Sequence, residues 1–346
     1  HPTTSRTDNE YCKIAYNPND NKPIHDMGNK SQSYISNIEY RLAYGALYVL
    51  SLLPFKCLYM LSDCFYAIVY HVVKYRRKVV WRNLTTSFPD KSHDELKSIE
   101  RRFYHCMCDY VVETIKLLSI SDEDILKHIE FRNVEQMETY FDQGKDCAAI
   151  LGHLCNWEWL STTGLAFHRY HPLRSHVTDR LMRSIRQSKH GVCIPKKDIL
   201  RYLVTYKREN RRNLFGYIAD QTPKTENIHL WLPFLNHDTP VFTGAERIMQ
   251  KMDNAVFYVD MRRERRGKYT CTFKLITDTP AQCGQNEITK RFFVMLEESI
   301  RNQPECYLWS HNRWKRANLN KDNNNSIDQN KNQGNSNHSN DKSPQL

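Results

Sequence analysis

Apolar residues are spread unevenly along the 346-residue chain. They begin in earnest with two runs, Leu42 to Phe55 and Cys57 to Val73, parted by Pro54 and Lys56 and followed at once by Lys74, Arg76, Arg77, Lys78 and Arg82. Each run falls short of the roughly 20 apolar residues that a bilayer crossing needs, and Asp63 breaks the second. The pattern predicts helices lying in a membrane interface, where tyrosines such as Tyr44, Tyr59 and Tyr66 and a basic flank are favoured. A buried helical hairpin of a soluble core is the competing reading.

Ser92 and Glu95 have the spacing of a capping box, and Leu96, Ile99, Phe103, Met107, Tyr110, Val111, Ile115 and Leu118 continue at helical intervals. Beyond this amphipathic helix the rhythm changes to short apolar runs alternating with helical stretches. The runs are Ala148 to Leu151, Val192 to Ile194, Leu214 to Ile218, Ala255 to Val259, Tyr269 to Leu275 and Cys306 to Trp309. This predicts an α/β fold with a largely parallel central sheet flanked by helices, preceded by the N-terminal apolar, membrane-associated helical segment. Tyr269, Cys271, Phe273 and Leu275 alternate with polar residues, the pattern of a half-buried antiparallel strand near an edge.

The flanks differ in kind. Residues 1–36 and 317–346 are rich in Asn, Asp and Ser and lack apolar periodicity, so both read as disordered, with 37–82 as the membrane-associating segment and 83–316 as the α/β domain. The first residue is His1, and the reading places an authentic start at Met27, with no secretory cleavage site after the apolar run. Basic and acidic residues balance in each flank, so the net charge of +11 lies on 37–316. Such a field draws anionic headgroups, phosphorylated substrates, acidic proteins or nucleic acid. Nucleic acid is set aside because no zinc-finger, RNP or helix-turn-helix signature is present. The 11 cysteines include no CxxC pair and no repeating interval, which argues against a zinc ribbon or a disulfide framework; reduced thiols are expected, and neither a metal nor a cofactor.

The segment CAAILGHLCNWEW places His153 just beyond a buried strand, with Gly152 at the exit and Glu158 five residues later. In open α/β sheets ligands bind at that end. A carboxylate reaching one imidazole nitrogen would fix the tautomer and leave the other nitrogen to take a proton from a hydroxyl. The H-x-x-x-x-E spacing is weak by itself. A second strand end, LFGYIADQTP, would project Asp220 and Gln221 into the same crevice, although Asp220 could equally brace its own loop. WSHNRWKR sets His311 and Arg313 among tryptophans, where local packing is the expectation, and the run Arg262 to Lys268 reads as a solvated turn. Cys147 and Cys155 bracket His153, but nothing singles either out as a nucleophile.

With these segments in hand, the chain resembles the late acyltransferases of lipid A biosynthesis, the lauroyl/myristoyl acyltransferases of the lysophospholipid acyltransferase superfamily. The matching segments, in the family's order, are KYRRKVVWRNLTTSFPDKS, the His153/Glu158 pair, RLMRSIRQSKHGVCIP, IADQTP, WLPFLNHDTPVFTGAERI and WSHNRWKR, spanning about Tyr40 to Arg316. The resemblance implies acyl transfer from an acyl carrier protein thioester to a hydroxyl of a lipid A precursor, at the cytoplasmic face of the inner membrane. It implies His153 as general base and Glu158 as its partner, with Arg186, Gln221 or backbone amides near Gly152 as oxyanion donors. Arg174 and Arg186 are the preferred phosphate contacts, together with Asp220 and Gln221 at the substrate. Two departures stand out: the stretch between Glu158 and YHPLRSHVTDR is shortened, and Ser175 occupies a position where the family usually has asparagine. They keep two alternatives open, a different glycolipid, aminolipid or lysophospholipid acceptor, and an inactive, basic, membrane-peripheral binding protein.

Overall fold

The computed structural model describes residues 14–16, 34–166, 192–193 and 213–317. Helix α1 (Tyr34–Ser51) and helix α2 (Phe55–Tyr66) are separated by Pro54, which cannot donate the hydrogen bond that would continue α1. A π-helical turn, Ala67–Val73, prolongs α2 and ends at Lys74. The two limbs meet at 116°, and no single described helix is long and apolar enough to cross a membrane. Asp63, which interrupts the second apolar run, is neutralised by Arg266 at 2.7 Å.

Helix α3 (Arg77–Ser87) leads to α4 (His93–Lys116), whose start is the predicted capping box: the Ser92 N–H donates to Glu95 Oε2 at 2.8 Å and the Glu95 N–H to Ser92 Oγ at 3.3 Å. Helix α4 buries Leu96, Ile99, Phe103, Tyr104 and Val112. It also buries Asp109 and Glu113, one turn apart on a shared face. Such groups require partners, and these come from distant parts of the chain. Arg263 and Arg266 both pair with Asp109, while Glu113 accepts from Tyr269 at 2.7 Å, Tyr59 at 2.9 Å and Asn156 at 2.9 Å. The run Arg262 to Lys268 is therefore not merely a solvated turn. Arg263 and Arg266 clamp a strand hairpin onto α4, and only a three-dimensional arrangement could reveal their buried partner.

The remaining elements, in order, are β1 (Ile14–Tyr16), α5 (Asp122–Leu126), β2 (Ile129–Arg132), α6 (Val134–Asp142), β3 (Cys147–Leu151), β4 (Val192–Cys193) and β5 (Leu214–Ile218). There follow β6 (Trp231–Phe234), β7 (His237–Pro240), α7 (Gly244–Met252), β8 (Ala255–Arg265), β9 (Lys268–Thr277) and α8 (Glu287–Asn302). The sheet runs β2-β9-β8-β3-β5, extended past β5 by the short β1 and β4. Strand β3 is parallel to both neighbours, β5 and β8, and β2 is parallel to β9. The β8–β9 hairpin is antiparallel, as the alternation in Tyr269 to Leu275 predicts. All five residues of β3 are buried, which fits a central strand covered on both faces.

Two expectations need correcting. Cys306 to Trp309 is not a strand: Pro304–Cys306 is a 3₁₀ turn, and the chain makes only an isolated bridge, Leu154 to Tyr307. Conversely, the segment after IADQTP contains a separate hairpin, β6–β7. Its two-residue turn holds Leu235 and Asn236 at φ of 50° and 62°, the pairing that suits a tight right-twisted hairpin.

Candidate active site

Strands β3 and β5 run side by side in register, Leu151 opposite Ile218, so their exits carry Gly152–His153 and Ala219–Asp220 to the same place. The Ala219 N–H donates to the Leu151 carbonyl at 3.1 Å and carries the pairing one step past the strand. The chain reaches β5 on one side of β3 and β8 on the other, so this exit is a switch point of the sheet, where α/β folds open a crevice. Glycine is needed here because a β-carbon on residue 152 would come within 2.7 Å of Leu296 Cδ1 on α8 and 3.4 Å of Asp220 Oδ2.

His153 Nδ1 donates to Asp220 Oδ1 at 2.6 Å, and the His153 backbone N–H donates to Asp220 Oδ2 at 3.0 Å. Burial and the neighbouring Asp220 charge raise the pKa of the Tyr307 hydroxyl. Asp220 is 2% exposed. Burial by itself would raise its pKa, but the His153 ring, the hydrogen bonds from His153 and the nearby Arg313 guanidinium outweigh it and hold the carboxyl down at about 2. With Nδ1 committed as donor, Nε2 is an acceptor, and the Gln221 side-chain amide donates to it at 2.9 Å. Trp157 packs edge-on against the imidazole at 4.9 Å between centroids.

Glu158 sits on the first turn of the 3₁₀ segment Trp157–Ala166, and its carboxylate accepts from Trp157 Nε1 at 3.0 Å and the Tyr110 hydroxyl at 3.3 Å. The carboxylate on the imidazole is thus supplied by Asp220, 67 residues away, rather than by Glu158. Glu158 reaches His153 through the indole that packs on it. The physical reason is local: a 3₁₀ turn advances by a third of a circle per residue, so Glu158 projects toward α4 and away from the crevice. Gln221 and Asp220 are both at the site, whereas Arg174 and Arg186 lie outside the described residues.

The C-terminal segment joins the same cluster. Arg313, 1% exposed, donates from Nη2 to the Pro240 carbonyl at 2.9 Å and lies close enough to Asp220 to lower its pKa. Thr222 Oγ1 donates to the Arg313 carbonyl at 2.5 Å and lies 3.4 Å from His311 Nε2. Burial, reinforced by the neighbouring cations, lowers the His311 pKa to about 4. Local packing accounts for Arg313, but His311 and Arg313 also shape the field around Asp220. Sequence reasoning missed Tyr307 and Glu113: a tyrosine after a 3₁₀ turn and a glutamate inside a long helix carry no local mark of burial. A void of about 30 Å³ touches Trp157, Tyr110, Tyr307 and Leu308. It has room for a water or two and none for an acyl chain.

Among the described residues no group of three or more His, Cys, Asp or Glu is placed to hold a metal ion. The described cysteines are free thiols, and burial raises the pKa of Cys147, which is 0% exposed. An imidazole whose Nδ1 is held by a buried carboxylate and whose Nε2 meets the Gln221 amide has the arrangement of a general base toward a substrate alcohol. No curated protein gives a significant match to the sequence. The model of the bacterial lipid A biosynthesis acyltransferases matches residues 28–316, most of the chain, and this protein belongs to that family.

Proposed function

We propose that this protein transfers a fatty acyl chain from an acyl carrier protein thioester to a hydroxyl of a lipid A precursor, at the cytoplasmic surface of the inner membrane. The observation that carries the reading is the His153–Asp220 pair at 2.6 Å at the carboxyl end of the central strand. His153 is the general base and Asp220 its positioning carboxylate, with Glu158 bracing the Trp157 indole. The substrate hydroxyl replaces Gln221 at Nε2 and gives up its proton as the alkoxide oxygen attacks the thioester carbonyl. Asp220 stabilises the imidazolium that forms. As the C–S bond breaks, the imidazolium returns the proton to the departing thiolate, so no charge accumulates. The displaced Gln221 amide is then free to donate to the oxyanion.

Membrane attachment rests on the apolar residues that α2 and the π turn leave exposed, among them Met60 at 69%, Val72 at 74% and Val73 at 61%. The basic charge of 37–316 suits both an acidic carrier protein and an anionic acceptor. The test is acyl transfer by the full chain from acyl carrier protein thioester to a lipid A precursor, with product identified by mass spectrometry. His153→Ala should lower turnover by about 10²–10⁴ while leaving the fold intact. Undiminished transfer by that variant would remove the assignment.

A further inference from the structure

Where the π turn gives way to α3, a cleft of about 670 Å³ opens between the connector and the first turns of α4, lined by Lys74, Arg76, Arg77, Lys78 and Lys97, with Trp81 and Glu100. It contains five cations and a single carboxylate, and none of the residues around His153 lines it. Glu100 is 1% exposed and already shared by Lys97 at 2.6 Å and Arg77 at 3.4 Å. Arg76 donates to the Ser310 carbonyl at 3.0 Å. Lys74 and Lys78 have no ion-pair or hydrogen-bond partner for their ammonium groups among the described residues. Lys97 stands over the Trp81 ring at 4.9 Å, which fixes one wall.

The backbone gathers these charges by unfavourable means. Lys74 and Arg76 both adopt left-handed conformations, φ 52° and 50°, a region that residues with a β-carbon rarely occupy. A pair of such residues flanking Tyr75, next to a π turn, is the kind of local irregularity that concentrates at functional positions. It turns the basic residues toward one cleft instead of distributing them around a helix. Immediately beside the cleft, the apolar side chains of Ile68, Val72, Val73 and Tyr75 are 49%, 74%, 61% and 43% exposed.

We infer that this cleft is a binding site for the monoester phosphate of a membrane lipid, seated while the adjoining apolar residues enter the interface. A monoester phosphate offers several free anionic oxygens to surrounding ammonium and guanidinium groups. The exposed apolar strip places the cleft at headgroup depth, where tyrosine, tryptophan and lysine are favoured. The inference rests on the membrane-surface part of the proposed function and adds to it a specific headgroup site.

The test is co-sedimentation of the full chain with phosphatidylcholine vesicles that are neutral, that contain phosphatidic acid, or that contain phosphatidylserine at matched surface charge. The phosphatidic acid vesicles should bind best. The Lys74→Asn/Lys78→Gln variant, whose asparagine tolerates the left-handed backbone, should bind them about 30-fold more weakly, at about fivefold per lysine, with unchanged thermal unfolding. A control pair on α7 and α8, Lys251→Gln/Lys290→Gln, should bind like the parent. Equal binding of the two anionic vesicles, an unaffected cleft variant or an equally impaired control would overturn the site. So would displacement by millimolar inorganic phosphate, which would mark a free-anion site instead. Equal binding to neutral and anionic vesicles would sink the cleft and spare the membrane reading, whereas no binding to any vesicle would sink both.

Discussion

Replacing Asp220 by asparagine separates the two carboxylates near His153. In the parent, Asp220 accepts from Nδ1 at 2.6 Å and from the His153 N–H at 3.0 Å, within a site where it is fully buried. The fall of its pKa from 3.8 to about 2 corresponds to roughly 2 kcal/mol of preference for the charged form. Losing the charge leaves the imidazolium of the transition state without its ionic partner, which lowers turnover. An amide can also present its NH₂ to Nδ1 and invert the tautomer, which extends the loss toward about 10⁴. Asp220→Asn should therefore lower kcat by about 10²–10⁴ with little change in KM, measured as acyl transfer from acyl carrier protein thioester. Its folded state should lose up to roughly 2 kcal/mol near neutral pH. The sign follows from the lowered pKa: the parent holds this stability above about pH 4 and loses it as the pH falls toward 2. Glu158→Gln, which keeps an acceptor for Trp157 and Tyr110, should cost far less. The reasoning is refuted if Asp220→Asn keeps more than about a tenth of the activity while Glu158→Gln abolishes it.

Three further outcomes are expected. The lowered His311 pKa, about 4, keeps it neutral in the folded state while the unfolded chain takes up a proton, so the protein should lose up to roughly 3 kcal/mol between pH 6.5 and 4. His311→Gln should flatten that part of the urea-unfolding profile, and an unchanged slope would exclude His311 as its source. Asp109→Asn leaves the half-buried Arg263 without its ion-pair partner and should destabilise by about 2–4 kcal/mol, read as a shift in denaturant midpoint; a loss under about 1 kcal/mol would show that the network contributes little. Val72→Ser/Val73→Ser, at side chains 74% and 61% exposed, should weaken sedimentation with vesicles at least about tenfold without altering thermal unfolding. Equal sedimentation would place the membrane contact elsewhere.

The residues themselves determined the elements whose signals are local. The Ser92/Glu95 capping box starts α4, Pro54 parts α1 from α2, and the alternation in Tyr269 to Leu275 marks an antiparallel strand. His153 at a strand exit was legible for the same reason: a short apolar run ending in glycine is a pattern of adjacent positions. The α/β class also followed, because alternation of period-2 and period-3.6 segments has few packing solutions. Tertiary structure alone decided which acid serves the imidazole. Glu158 is near in sequence, yet a 3₁₀ turn carries it to Tyr110 and Trp157, while the parallel register of β3 and β5 brings Asp220 to Nδ1 across 67 residues. The burial of Asp109, Glu113 and Arg313 was likewise invisible, since a charge inside the protein is stabilised by partners from distant segments that no neighbouring residue reveals.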